Sequence, residues 1–328
     1  MKKLLMIAFV VVIGLFGTKT ALATHDCTFE TVDSTMFLQA SCTTDENILI
    51  PDGYTLNGGD YTITAIDPPG GHFTGAVVVN EGAEAYVTHL NISAGILSNV
   101  CDGGSNRLRG IMFEEASGAI THSSVAGINQ GASGCQEGNA IEIRSAPFDG
   151  SVPARFFVEV AHNEIYNYQK TGIVANGAVE VNIHHNKVGT SATQENLAAN
   201  SVQLGFGATG EVMFNLIDGN QWLGTSDYAA TAVLLYEANG VELSLNMIGG
   251  NSEIGIYNYG NGNVIDNNKV FDLGDDAPTA LYDYGIGNWG FDGVVTNNKV
   301  RGFEIPYDGV EGGKNKIIPG PQNVNPNP

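Results

Sequence analysis

One pattern of apolar and polar positions recurs along the chain. Residues 181–190, "VNIHHNKVGT", alternate apolar and polar up to Ile183, break the alternation at a histidine pair, and resume with Asn-x-Val. The same phrase returns as "VTHLNISAG" (87–95), "ITHSSVAG" (120–127), "VAHNEIYN" (160–167) and "VMFNLIDG" (212–219). It continues as "LSLNMIGG" (243–250), "IDNNKVFD" (265–272) and "VTNNKVRG" (295–302). Alternation at period two predicts short strands with one buried face. Helical periodicity is almost absent.

A second phrase, glycine followed by an apolar residue, precedes each copy. "GIVANGAVEVNIHHNKV" (172–188) is the cleanest full unit, and "GIYNYGNGNVIDNNKV" (255–270) and "GIGNWGFDGVVTNNKV" (285–300) repeat it. An asparagine column runs Asn163, Asn186, Asn215, Asn246, Asn268, Asn298, with shortest spacings of 23 and 22 residues. A unit of about 22 residues holding two or three strands is one coil of a parallel β-helix. Asparagine suits the bend between strands, since it tolerates left-handed backbone and bonds to stacked copies of itself. The expected fold is all-β: one elongated parallel β-helix of about nine coils with an N-terminal cap.

The glycine-apolar and asparagine-apolar phrases resemble the right-handed parallel β-helix proteins of the pectin-lyase-like superfamily, over about residues 76–302. The resemblance implies a right-handed solenoid. It also implies a protein class rich in polysaccharide lyases, glycoside hydrolases, esterases and epimerases, together with surface proteins that have no known catalysis. The paired aspartates and Gly-His-Gly of the polygalacturonase branch are missing, as is the Asp-Pro-His-Glu run of alginate epimerases. No catalytic residue is carried over by motif.

The histidines are tested by their column. Alternation puts Val87, Ile120, Val160 and Ile183 inward, and the next inward position falls on His89, His122, His162 and His185. In later coils the same column holds Phe214, Leu245, Asn267 and Asn297. Replacement of histidine by phenylalanine and leucine fits a stacked interior ladder, so no metal site is expected there. His184 alone is expected to point outward.

The ends change the picture. "MKKLLMIAFVVVIGLFGTKTALA" has a lysine pair, an apolar run from Leu4 to Phe16 and the small-x-small step Ala21-Leu22-Ala23. This predicts a signal peptide over residues 1–23 and an exported chain without membrane insertion. Residues 24–75 are expected to form the cap and first coil, 76–312 the β-helix, and 313–328 a C-terminal tail. Removing Lys2, Lys3 and Lys19 leaves 11 of 14 basic residues against 35 acidic ones, a balance of −24. Such a field repels nucleic acid and anionic membranes. Four cysteines in an exported chain predict two disulfides. Cys27 and Cys42 are close enough to staple a capping hairpin. Cys101 lies 12 residues after His89 and Cys135 lies 13 after His122, so the repeat stacks them in neighbouring loops and predicts a Cys101–Cys135 bridge.

Chemistry on a solenoid sits on an exposed strand face walled by loops. Counting outward from the glycine-apolar step gives a first column of Val78, Met112, Glu142, Val174, Gln203, Leu234, Tyr257 and Gly287. The second column is Asn80, Glu114, Arg144, Asn176, Gly205, Tyr236, Tyr259 and Trp289. Tyr236, Tyr257, Tyr259 and Trp289 form either a row on which a sugar chain stacks or a satellite core beneath the loops. Glu114 and Glu142, on a diagonal of about 7–8 Å, are spaced to act as general acid and base across a glycosidic bond, with Arg144 tuning one of them. The alternative is a surface ion pair of Glu114 with Arg144. Lyase chemistry would need a base, and Arg144, Arg107 and Arg109 are the nearest. No cofactor motif is found. The acidic loop with Asp272, Asp275, Asp276 and Asp283 offers oxygens suited to calcium, Ca2+, without matching a loop consensus. Phosphate-cradling, nucleophile-elbow and His-Glu-x-x-His motifs are absent. The sequence thus points to a glycan partner, engaged by an enzyme or by a non-catalytic binding or surface protein.

Overall fold

The computed structural model describes residues 26–191, 196–224, 228–273 and 282–319. Among them the strands fall into three sheets of eleven, ten and eleven strands. Phe29–Val32 runs antiparallel to Thr35–Leu38, and from Thr35 onward neighbouring strands are parallel. Each coil contributes one strand to each sheet. Thr171–Gly177, Val179–His184 and Lys187–Val188 are one such set, paired on either side with the coils before and after. The protein is a parallel β-helix. Its stacking starts at Thr35, within the segment read as cap and first coil. It runs on to Lys316–Ile317, inside the segment read as tail.

The core is a set of apolar columns. Val87, Ile120, Val160, Ile183, Val212, Leu243, Ile265 and Val295 are all buried and stack in register. Burying each contributes roughly 1.5–3 kcal/mol of apolar transfer, repeated coil after coil.

The turn beyond these columns differs from the expectation. His89, His122, His162 and His185 face solvent, as do Phe214, Leu245 and Asn267. All of them, with Asn297, hold left-handed backbone, with φ between 49 and 59°. One left-handed residue breaks the two-residue alternation, so Ile183 points inward, His184 and His185 outward, and Asn186 inward again. The left-handed position therefore belongs to the residue before the asparagine. The asparagines are buried and continuous. Asn186 donates its backbone N–H and its Nδ2 to Oδ1 of Asn215, at 2.9 and 3.0 Å. Its remaining amide hydrogen is directed to the carbonyls of Val160 and His184. The ladder runs from Ser123 through Asn163, Asn186, Asn215, Asn246, Asn268 and Asn298 to Asn315. Buried amides with every hydrogen engaged are stable, whereas one orphaned group costs about 1–3 kcal/mol.

Both disulfides are formed, Cys27–Cys42 and Cys101–Cys135. The second joins loops of adjacent coils, as the repeat requires. No helix among the described residues is long and apolar enough to cross a membrane.

Candidate functional site

The ten-stranded sheet carries the expected outward columns. From Glu142 onward the first column is in register as read: Glu142, Val174, Gln203, Leu234, Tyr257, Gly287, and then Asp308. The second pairs Glu114 with Arg144, Asn176, Gly205, Tyr236 and Tyr259. In the earliest coil the register is shifted by one: Met112 pairs with Val79, not Val78.

The acidic end of this sheet is sealed. Glu142 is only 5% exposed. Its two carboxylate oxygens accept from Arg109 Nε at 2.5 Å and Nη2 at 3.3 Å, and Asn139 Nδ2 donates to it at 2.8 Å. Arg109 is itself buried. Its guanidinium also reaches the carbonyls of Gly104, Ser105 and Arg107, in the short 3-10 turn above the strand and just after it. The side chain thus clips a loop onto the sheet. Glu137 adds to the clip by accepting the backbone N–H groups of Asp102 and Leu108. The Cys101–Cys135 bridge ties the same two loops. Met112 is buried beneath them. Glu114 does pair with Arg144, at 3.1 Å, and Arg144 Nη1 stands 3.6 Å from Glu142. Glu142 is therefore a buried, fully partnered carboxylate. It and Glu114 do not face one another across an open groove. Arg107 lies on the loop, and Arg109 offers no free donor toward solvent.

The aromatic end is open. A cleft of about 510 Å3 lies over the sheet, within the usual range for ligand sites. Tyr257 and Trp289 line it together with Tyr228, Tyr282 and Tyr284. The aromatic rings interlock edge to face: Tyr257 on Trp289 at 4.8 Å between centroids, and Tyr284 on Trp289 at 5.5 Å. Trp289 lies flat across Gly287, where any Cβ would meet the indole. This explains the glycine at a position that holds Tyr257 one coil earlier. Asp308, next in that column, accepts the indole Nε1–H at 2.7 Å and fixes the ring. Tyr236 and Tyr259 lie outside the cleft. They stack on each other at 5.6 Å, with Phe206 against Tyr236, as a second aromatic strip two residues further along the strands.

Polar groups enter the cleft from the strand's opening column, where Thr171, Asn200, Thr231, Ile254 and Tyr284 pair in register. Lys170 precedes this column and donates from Nζ to the carbonyl of Ala198 at 2.6 Å. Burial pulls its amine down to about 8. Burial also raises the Tyr257 phenol, with the neighbouring tyrosines adding to the effect. Lys170, Tyr228, Tyr282, Tyr284 and Asp308 were not among the sequence candidates. The residue immediately before each glycine-apolar step is the signal that would have found Tyr284.

Of the acidic loop, Asp275 and Asp276 lie outside the described residues. Asp272 is buried, and Asp283 accepts the backbone N–H of Glu304 at 2.7 Å.

No family model matches the chain, and no curated protein matches it. Solved structures do. The Dettilon tailspike protein is 14% identical, with 87% of this chain and 55% of that one covered and a TM-score of 0.48. The enzymatically active domain of bacteriophage CBA120 tailspike protein 2 is 11% identical, covering 87% and 42%, with a TM-score of 0.49. A variant of DFA-IIIase from Arthrobacter chlorophenolicus A6 in complex with DFA-III is 13% identical, covering 84% and 57%, with a TM-score of 0.43. The chain spans about half the length of these structures. Its fold rests on the three sheets described above.

Proposed function

We propose that this is an exported β-helix protein that binds a polysaccharide in the aromatic cleft over the ten-stranded sheet. The observation that carries the reading is the wall of Tyr228, Tyr257, Tyr282, Tyr284 and Trp289, joined by Asn200 and Asp308. Aromatic faces offer apolar area to the C–H face of a sugar ring, and amide and carboxylate groups bond its hydroxyls. Export is supported by the signal-like first 23 residues and by the two disulfides.

Lys170 favours a second, catalytic reading. An amine near 8 at a cleft edge is partly neutral at mild alkaline pH and can take a proton. On a uronate polymer it would remove the proton α to the carboxylate. The electron pair then forms a C=C bond as the glycosidic C–O bond breaks, and the leaving oxygen picks up a proton.

The test is a panel of neutral and uronate polysaccharides, read by affinity electrophoresis and by ultraviolet absorbance of unsaturated products. Trp289→Ala is expected to weaken retention by about three- to tenfold or more, the worth of one aromatic contact. No retention by any polymer would overturn the proposal. Unsaturated product that rises with pH around 8 and vanishes in Lys170→Met would establish the lyase reading, and binding without product would leave a carbohydrate-binding protein.

A further inference from the structure

The outward histidines form a stacked column on an eleven-stranded sheet's turn. His89, His122, His162 and His185 stack ring on ring at 5.2, 4.9 and 5.1 Å, and Phe214 continues the stack at 5.3 Å. The turn itself does not need histidine, because Phe214, Leu245, Asn267 and Asn297 hold the same left-handed backbone. At one place the column gains a member from outside it. His184 lies on the strand, in register with Ala161 below and Met213 above, and its ring turns edge-on to both His162 and His185. Nitrogen atoms of His162, His184 and His185 come within 4.8 Å of one another.

We propose that His162, His184 and His185 form a binding site for a divalent transition-metal ion, clamping two adjacent coils through three imidazole nitrogens. The hydrogen bonds prepare the rings for it. His184 Nε2 lies 3.0 Å from Glu159 Oε1, which as a carboxylate only accepts, so the proton sits on Nε2. His184 Nδ1 is then left with its lone pair aimed at His185 Nδ1, 2.9 Å away. One proton shared between those two atoms is what an ion would displace. A carboxylate behind a histidine is the usual second partner of a metal-bound imidazole, fixing its tautomer and raising its basicity. Zinc–nitrogen bonds of about 2.0–2.1 Å in tetrahedral geometry place nitrogens about 3.3 Å apart, a short ring rotation from the present spacing. His162 and His185 are exposed, leaving a side open for water as a fourth ligand. Three nitrogens and no sulfur suit zinc, copper or nickel, and exclude a preference for calcium.

Zinc is the probe, titrated calorimetrically into the untagged chain after chelator treatment. One ion per chain is expected, with no comparable heat from calcium. The decisive variant is the pair His162→Asn and His185→Asn. Asparagine already occupies this left-handed position at Asn267 and Asn297, so the fold is retained. This variant is expected to bind zinc at least about 100-fold more weakly. Glu159→Gln, which touches no ion but holds the far nitrogen of His184, is expected to cost about 10–100-fold, as changes behind a metal-bound imidazole do. Zinc should raise the unfolding temperature of the wild type and leave that of the asparagine pair unmoved. Cobalt should give the visible spectrum of a nitrogen-ligated ion only in the wild type. Failure of the wild type to bind zinc, or wild-type affinity in the asparagine pair, would overturn the site. Loss of polysaccharide binding in Trp289→Ala bears on the cleft alone, so the two proposals fail separately.

Discussion

The two ends of the ten-stranded sheet share a backbone and a register yet present opposite surfaces. At Arg109–Glu114 and Asn139–Ser145 the outward columns are charged and closed. At Thr231–Asn239, Ile254–Asn261 and Tyr284–Asn288 they are aromatic and open. The difference lies in what the preceding loops do. The acidic end has its loops fastened by a disulfide, by Glu137 and by the Arg109 guanidinium. The aromatic end has a cleft of about 510 Å3. Charge on an exposed strand face is therefore not a sign of chemistry until the loops above it are known. Here the charged residues of the acidic end serve as fastenings, whereas the aromatic end lines a cleft in which Lys170 and Asp308 stand beside the rings.

Breaking the main fastening gives the largest expected effect. Arg109→Met leaves Glu142 buried with its bidentate partner gone and takes the guanidinium donor away from the Arg107 carbonyl. Removing one member of a buried pair costs about 3–5 kcal/mol. Urea unfolding should show that loss. Polysaccharide retention by the folded fraction should be unchanged, because Arg109 does not line the cleft. If retention falls together with stability, the two ends are coupled and the contrast between them fails.

The disulfide is the next largest. Replacing Cys101 and Cys135 by serine opens a bridge that spans 34 residues. Cross-links of that span contribute about 3–4 kcal/mol. Hydrogen exchange should then rise at Arg109–Glu114, under the freed loops, and stay at its former level at Ile254–Asn261. Uniform exchange along the sheet would mean that the bridge stabilises the solenoid as a whole, with no special role at the acidic end.

The repeat made most of this architecture legible. A period of 22 to 31 residues in the asparagine column predicts vertical neighbours, and Asn163–Asn186–Asn215 and Cys101–Cys135 are such neighbours. The turn was harder to read. Left-handed backbone is normally marked by glycine or asparagine, but here histidine, phenylalanine and leucine hold it, so plain alternation carried the histidines inward. Arg109 is among the basic residues nearest the two glutamates, and arginine usually belongs at the surface. Its partner Glu142 is 33 residues away and its carbonyl partners lie on a local turn, so its burial shows only in three dimensions. The cleft is half visible in the sequence: Tyr257 sits on a strand position that alternation reaches, and Trp289 directly follows the strand Tyr284–Asn288. Lys170, Tyr228 and Tyr282 come from connecting segments, where no period operates.

The smallest expected effect sharpens the contrast most. Glu114 and Arg144 form a charged pair at the acidic end that reaches solvent, with side chains 37% and 20% exposed. Arg144 Nε approaches Glu114 at 3.1 Å without hydrogen-bond alignment. Arg144 also keeps other company, at 3.6 Å from Glu142 and 5.3 Å over the Phe148 ring. Exposed pairs contribute about 0–1 kcal/mol, so Glu114→Gln should lower stability by well under 1 kcal/mol and weaken further with salt. The same chemical change at Glu142 would deprive Arg109 of its buried counter-charge and should cost several times more, on the scale of a broken buried pair. The two glutamates are near neighbours on adjacent strands, and a ratio of the two losses near one would mean that the loops do not seal Glu142 from water. A ratio well above one, with polysaccharide retention untouched in both variants, assigns both carboxylates to structure and leaves the aromatic cleft to account for binding.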